Sequence, residues 1–335
     1  MASYISRRLL MAIPTLLFLS LVIFLLLDLA PGDPLADLPL TIPPEVRERI
    51  RASLGLGEPV LVRYLRWLGH FFVTEPLYLA DHLFGTDWAG GRQRLLSFQS
   101  RGPVMQIIAE RMPQTLWIVG FGYLLGVLVA LPLGILSAWR PHGWIDRIGS
   151  FASMVGYSVP TFFTGVLLIV VFSVKLGWFP SIYDTTLRVT DWPSLLAQIR
   201  QMVLPVTVVA LFNASQISRF TRAAMLDNLH QDYVRTARAK GMSERVVLLV
   251  HVLRNSLIPV VTVIALGLPT MFGGAIITEQ VFKVNGLGQQ LIQSIEASDI
   301  PMVQTLTFIF AVLIVLSNLL ADVLYALLDP RIRHA

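Results

Sequence analysis

The 335-residue chain contains no cysteine. Disulfides, thiol chemistry and cysteine-based metal sites are therefore excluded. Charge is scarce: Asp, Glu, Lys and Arg supply 14% of the residues, against roughly 25% in an ordinary soluble domain. Lysine is scarcer still, occurring only as Lys175, Lys240 and Lys283. A phosphate-binding loop needs Gly-Lys followed by Ser or Thr, and these lysines sit in SVKLG, AKGM and FKVNG. The chain therefore has no such nucleotide-hydrolysing site of its own. No Gly-x-Ser-x-Gly elbow is present. The histidines His70, His82, His142, His230, His251 and His334 pair into no metal-binding helix motif. GLG at 286–288 lacks the rest of a dinucleotide fingerprint and reads as a turn.

What the chain has in quantity is apolar length. Hydrophobic residues make up 55% of it, and the mean hydropathy is +0.67. A membrane-crossing helix needs about 20 mostly apolar residues. Six stretches meet that length or approach it: 9–30, 115–138, 151–174, about 202–218, 256–278 and about 303–328. The fourth is the shortest and most polar, with Asn213, Ser215 and Gln216 near its end. None alternates with period two, so a membrane β-barrel is not indicated. The opening apolar run is too long for a signal peptide, and Asp28 and Pro31 spoil a cleavage site at Ala30. It reads as a retained first span.

Short loops orient the chain. Arg7 and Arg8 precede the first span, and Arg140 and Arg147 lie in the loop 139–147. Segment 219–254 carries Arg219, Arg222, Arg235, Arg238, Lys240, Arg245 and Arg254, and the RIRHA tail adds two more arginines. Loop 280–302 has only Lys283. By the positive-inside bias, both termini are cytoplasmic and the net charge of +5 reflects membrane loops. Nucleic acid is not the expected partner. The expected fold class is thus an all-α integral membrane protein with six transmembrane helices. Its expected parts are 1–30 (tail and first span), an extracytoplasmic subdomain at 31–114, and a five-span core at 115–335 with a cytoplasmic loop at 219–255. Segment 31–114 holds PGDP at 31–34, a charged helical run PPEVRERIRASLGLGEP, and VLVRYLRWLGHFF. Its end, PVMQIIAERMPQTL, has apolar residues at helical spacing and reads as an amphipathic helix entering the second span.

The cytoplasmic loop is unusual for an oily chain. DYVRTARAKG is a short helix-competent run ended by a glycine, a natural stop. Thr236, Ala237, Ala239 and Gly241 are small and allow close approach, while Arg235, Arg238 and Lys240 ring them with charge. One reading is a lever that docks into a partner; the other is a solvated basic loop.

This stretch, followed by seventeen residues and Pro259 in LRNSLIPVVT, resembles the coupling loop of permease subunits in ATP-binding-cassette importers, oligopeptide/dipeptide group. Other landmarks resemble that group in the same order: RRLLMAIPTLLFLSLVIFLLLDLAPGDP, IAERMPQTL, LPLGILSA, GYSVPTFF, GGAIITEQVFKVNGLGQQL and NLLADVLYALLDPRIRH. The resemblance covers nearly the whole chain, least well at 75–100. It departs from the broad importer motif in one respect: Arg235, Thr236 and Ala237 stand where that motif has Glu-Ala-Ala. The resemblance implies an importer-type permease fold in the bacterial inner membrane and no catalytic residues. It implies ATPase docking through Arg235, Thr236, Ala237, Arg238, Ala239, Lys240, Gly241 and Met242. It also implies ATP and Mg bound by two partner ATPase subunits, a second permease that is related but different, and an extracytoplasmic substrate-binding protein. The implied cargo is a di- or oligopeptide, with nickel chelate, glutathione, opine or oligosaccharide as alternatives. A secondary transporter driven by an ion gradient would want inverted repeats and a midplane carboxylate or broken-helix ion site, and neither is evident.

Within the spans, Asn213, Gln216 and Thr270 are candidate pathway residues, with hydrogen bonding between helices as the alternative. Gly273 and Gly274 read as packing glycines. Asp322 reads as an anchor or ion-pair partner, and Glu279 stands near the outer end of the fifth span. Pro14, Pro132, Pro160, Pro205, Pro259 and Pro269 lie inside or near the ends of spans, where each is expected to allow a kink.

Overall fold

The computed structural model describes residues 2–29, 43–46, 48 and 57–328. The PGDP run at 31–34, most of the charged run after it, and the RIRHA tail lie outside the described residues. The long helices are α1 (Ala2–Asp28), α4 (Val104–Trp139), α7 (Trp192–Leu229), α9 (Leu253–Phe282) and α11 (Ile300–Leu328). Between them lie α2 (Val60–Gly69), joined through a π turn at His70–Thr74 to α3 (Glu75–Phe84), then α5 (Trp144–Ser158), α6 (Thr161–Leu168), α8 (Asp232–Ala239) and α10 (Leu287–Glu296). The only β pairing among the described residues is an isolated bridge between Leu96 and Pro103.

Five helical stretches are long and apolar enough to cross a membrane, and the pair Trp144–Ser158 and Thr161–Lys175, bent by 106°, makes a sixth when counted as one span. The stretch 151–174, read from its composition as one span, is therefore broken in its middle. The cause is local. Proline drives the residue before it out of the helical region, and Val159 is extended at φ −81, ψ 127. Pro160 then opens α6. The prolines inside α1, α4, α7 and α9 do not end those helices. The fourth stretch, short by composition, is the middle of a 38-residue helix. Its polar side chains bond back to their own helix: Asn213 Nδ2 donates to the Val209 carbonyl at 2.8 Å and Ser215 Oγ to the Leu211 carbonyl at 2.7 Å. Asp191 starts the helix with a reciprocal cap. Its carboxylate accepts from the Ser194 amide at 2.9 Å, and its own amide donates to Ser194 Oγ at 3.0 Å.

Contacts divide the chain into two compact units, Met1–Leu9 with Pro113–Gln289 and Leu313–Ala335, and Leu10–Met112 with Gln290–Val312. The described residues 57–112 go with most of α1 and with 290–312 in the second unit. In the second unit Phe24, Tyr64, Trp67 and Phe308 form an aromatic core, with Trp67 edge-on to Phe308 at 5.3 Å between centroids. Asp299 holds the loop after α3 by accepting from Ser97 Oγ and, at 2.9 Å, from the Phe98 amide.

In the first unit α4 lies against α7 through Gly122, Gly126, Ala130, Gly134 and Ala138, small residues four apart on one helix face. A β-carbon placed on Gly134 would lie 2.6 Å from Thr221 Cβ and 2.8 Å from the Ser218 carbonyl oxygen. We expect Gly134→Val to destabilise this packing by about 1–3 kcal/mol, read as a lower thermal midpoint in detergent. The glycine read as a packing residue on α9, Gly273, meets no atom within 4 Å on which a β-carbon would impinge.

Glu279 closes the end of α9. Its fully buried carboxylate accepts from Thr115 Oγ1 at 2.6 Å and from the amides of Gly288 and Gln289 at 2.7 and 3.1 Å. These amides open α10, so the carboxylate satisfies the unpaired donors of a helix N-terminus. A side chain at Gly286 would strike the carboxylate, which explains the glycines of VNGLG. Glu279→Ala strands several buried donors at once, each costing about 1–3 kcal/mol. The expected result is a sharp fall in the amount of folded chain recovered from membranes, with Glu279→Gln falling less.

Candidate functional site

The basic cytoplasmic loop folds into a short, rigid prong. The chain turns at 230–231, and Gln231 is extended at φ −75, ψ 151 before α8 begins. Tyr233 Oη donates to Asn228 Oδ1 at 2.6 Å, tying α8 to the end of α7. The C-terminus of α8 closes with two crossed bonds. The Met242 amide donates to the Ala237 carbonyl at 3.4 Å and the Gly241 amide to the Arg238 carbonyl at 2.9 Å. This is the Schellman pattern, which requires a left-handed residue at its pivot. Gly241 supplies it at φ +78.

Helical spacing divides the prong into two faces. Val234 and Ala237, three residues apart, turn inward and pack with Ala138, Met225, Val247, Leu248 and Val252. Arg235, Thr236, Arg238, Ala239, Lys240, Gly241 and Met242 are exposed. The reading of Ala237 as exposed docking surface is corrected: it is 5% exposed and holds the prong down from beneath. The sequence signal was available, because Val234 is the one aliphatic residue of DYVRTARA and Ala237 lies one turn on. Arg238 is held by Glu244, with Nε and Nη2 at 2.8 and 3.3 Å from the two carboxylate oxygens. Arg235 meets Asp232 at 3.5 Å, with both side chains in solvent, a pair that contributes little.

Behind the prong a buried ion pair joins two helices. Arg222 of α7 approaches Asp146 of α5 with Nε and Nη2 at 2.5 and 2.8 Å. Asp146 keeps 5% of its side-chain surface and also accepts from the His142 amide at 2.8 Å and Ser150 Oγ at 3.2 Å. In the sequence Arg222 is one arginine of a positive loop, and Asp146 carries no motif that marks it. Nothing local pairs residues 76 apart.

The pathway candidates separate. Asn213 is 7% exposed, and a β-carbon on Gly126 would lie 3.0 Å from its Cβ, so it sits in the α4–α7 contact. Gln216 is half-buried. The side chain of Thr270 lies outside the described residues. Asp322 meets Arg8 at 3.0 Å. Among the described residues no group of three His, Cys, Asp or Glu side chains is placed to hold a metal ion.

Residues 130–334 match the model of the binding-protein-dependent transport system inner membrane component family, and residues 1–119 match that of the corresponding N-terminal region. The chain belongs to this family. It is thus a non-catalytic, multi-pass transport subunit of the inner membrane, and ATP hydrolysis belongs to separate chains. Among its family relatives, the oligopeptide transport system permease protein AppB of Bacillus subtilis is 40% identical over the full length of both chains. A putative peptide transport system permease protein of Brucella abortus is 37% identical, also over both full lengths. The glutathione transport system permease protein GsiC of Salmonella paratyphi A is 38% identical on the same terms. In fold, the family member resembles a chain of the inward-facing MetNI methionine ABC transporter with a TM-score of 0.55, at 19% identity, covering 68% of this chain and 98% of that one. The resemblance to an amino acid ABC transporter has a TM-score of 0.53 at 16% identity, covering 66% and 94%.

Proposed function

We propose that this permease carries di- or oligopeptides inward, paired with a second, related permease and driven by two ATP-binding subunits that dock on α8. The observation that carries the reading is likeness over the full length of both chains to permeases named for oligopeptide and peptide transport. The prong supports the docking half of it. A helix of eight residues, closed at its C-terminus by Gly241 and backed by a hydrophobic core, transmits a push without bending. Its exposed rim of Arg235, Thr236, Ala239, Lys240 and Met242 offers a small-surfaced, basic contact to a groove, with ATP and Mg held on the partner. An extracytoplasmic binding protein delivers the cargo. Gln216, the half-buried polar side chain of α7, is the pathway position we favour.

Glutathione is the second reading, favoured by equal full-length likeness to a glutathione permease. Glutathione is itself a small peptide, so the two readings differ in the binding protein's preference. The test is to purify the binding protein that stimulates the assembled transporter and titrate it with short peptides, glutathione, nickel chelates, opines and oligosaccharides. Tight binding of peptides supports the proposal. Binding of a metal chelate, opine or oligosaccharide alone overturns it.

A further inference from the structure

The helix that follows the first span has two apolar faces. One is the aromatic core already described, where Tyr64 and Trp67 are buried. The other is a stripe of Leu61, Leu65, Phe72, Leu79 and Leu83, each 46% exposed or more. Leu61 and Leu65, four apart, share one side of α2, Leu79 and Leu83, four apart, share one side of α3, and Phe72 lies in the π turn between them. A helix apolar on both sides belongs in a buried or lipid setting.

Depth comes from α1, an apolar span whose window is only 11% buried within the chain and whose outward side chains, such as Phe18 and Leu26, are exposed on its surface. Arg63 pairs with Asp28 at the end of that helix. The next residue, Tyr64, reaches the other way: its hydroxyl lies 2.9 Å from Ser20 Oγ and 3.3 Å from the Leu17 carbonyl. Ser20 stands eight residues before Asp28, about 12 Å deeper along a helix. The backbone at 63–64 therefore lies between these levels, within the apolar length of the first span. The polar contacts fall on the opposite side from the stripe: Trp67 Nε1 donates to Thr305 Oγ1 at 3.4 Å, and buried Glu75 pairs with Arg94 at 2.6 Å.

We infer that Val60–Phe84 lies along the membrane plane, sunk into the outer leaflet with the Leu61–Leu83 stripe against lipid acyl chains. It continues the lipid-facing surface of α1 sideways. An in-plane amphipathic helix sits about 5–10 Å into the headgroup–acyl boundary, which matches the level set by Arg63 and Tyr64. The inference does not depend on which cargo the transporter moves.

The absence of cysteine makes the test direct, since each introduced cysteine is the only one in this chain. Leu65→Cys, Phe72→Cys, Leu79→Cys and Leu83→Cys are made in the assembled transporter, spin-labelled and placed in lipid nanodiscs. Relaxation by oxygen, which concentrates in lipid, is compared with relaxation by a water-soluble nickel chelate. Leu26→Cys on α1 is the lipid standard and Thr185→Cys, in an exposed loop, the water standard. The expected oxygen-to-nickel ratio at the four stripe positions matches Leu26→Cys and exceeds Thr185→Cys severalfold. Ratios equal to the water standard overturn the inference. So do immobilised labels that neither reagent reaches, which would mean that a protein partner covers the stripe. Leu61→Cys replaces any of the four that fails to assemble.

Discussion

Gly241→Val is expected to leave the transporter in the membrane at normal levels while uptake falls at least about tenfold, the size expected when roughly 1.4 kcal/mol or more of coupling is lost. The residue pivots the cap of α8 at φ +78, a conformation that costs an ordinary residue about 1–2 kcal/mol and a β-branched one more. A β-carbon there meets nothing within 4 Å in this chain, so the fold itself tolerates the added atoms. Two consequences remain: strain in the cap, and bulk on the docking face. Gly241→Asn separates them, because asparagine accepts the left-handed region. If Asn restores uptake, the cap geometry is what matters; if it fails as Val does, the groove has no room. Uptake and ATP hydrolysis are measured together, and the expected signature of Gly241→Val is hydrolysis without uptake. Normal coupled transport in Gly241→Val would contradict the assigned docking role.

Arg222→Ala is expected to be the most damaging single change on the cytoplasmic side. It leaves the Asp146 carboxylate buried beside Ser150 and the His142 amide without its guanidinium. Breaking a buried pair by removing one partner costs about 3–5 kcal/mol, and the low end applies because Arg222 keeps 30% of its side-chain surface. We expect a much lower thermal midpoint in detergent and reduced membrane levels. The double variant Asp146→Asn with Arg222→Met removes both charges and should recover most of the loss. A double variant as unstable as the single one would contradict the assignment of the loss to the unpaired carboxylate.

The two changes show what a sequence yields and what it withholds. Span positions were legible because lipid demands unbroken apolar length, and the prong was legible because DYVRTARAKG is polar, short and ended by glycine. The break at Pro160 was not. Six prolines lay in or beside apolar runs, and only the preceding residue's freedom to extend distinguishes Pro160 from those that α4, α7 and α9 absorb. The inward turn of Ala237 was legible only through Val234 one turn earlier, since a small residue taken alone suits either face. Partnerships across the fold, such as Glu279 with Thr115 and Asp146 with Arg222, leave no local trace at all. They depend on which helices meet.

We propose that this subunit moves cargo on work done by a nucleotide-hydrolysing partner pressing on α8. The most direct measurement is peptide uptake into proteoliposomes, comparing this chain alone with the complete transporter and binding protein, with and without ATP. Accumulation is expected only in the complete system and only with ATP. Accumulation by the chain alone, driven by a proton or sodium gradient, would contradict it.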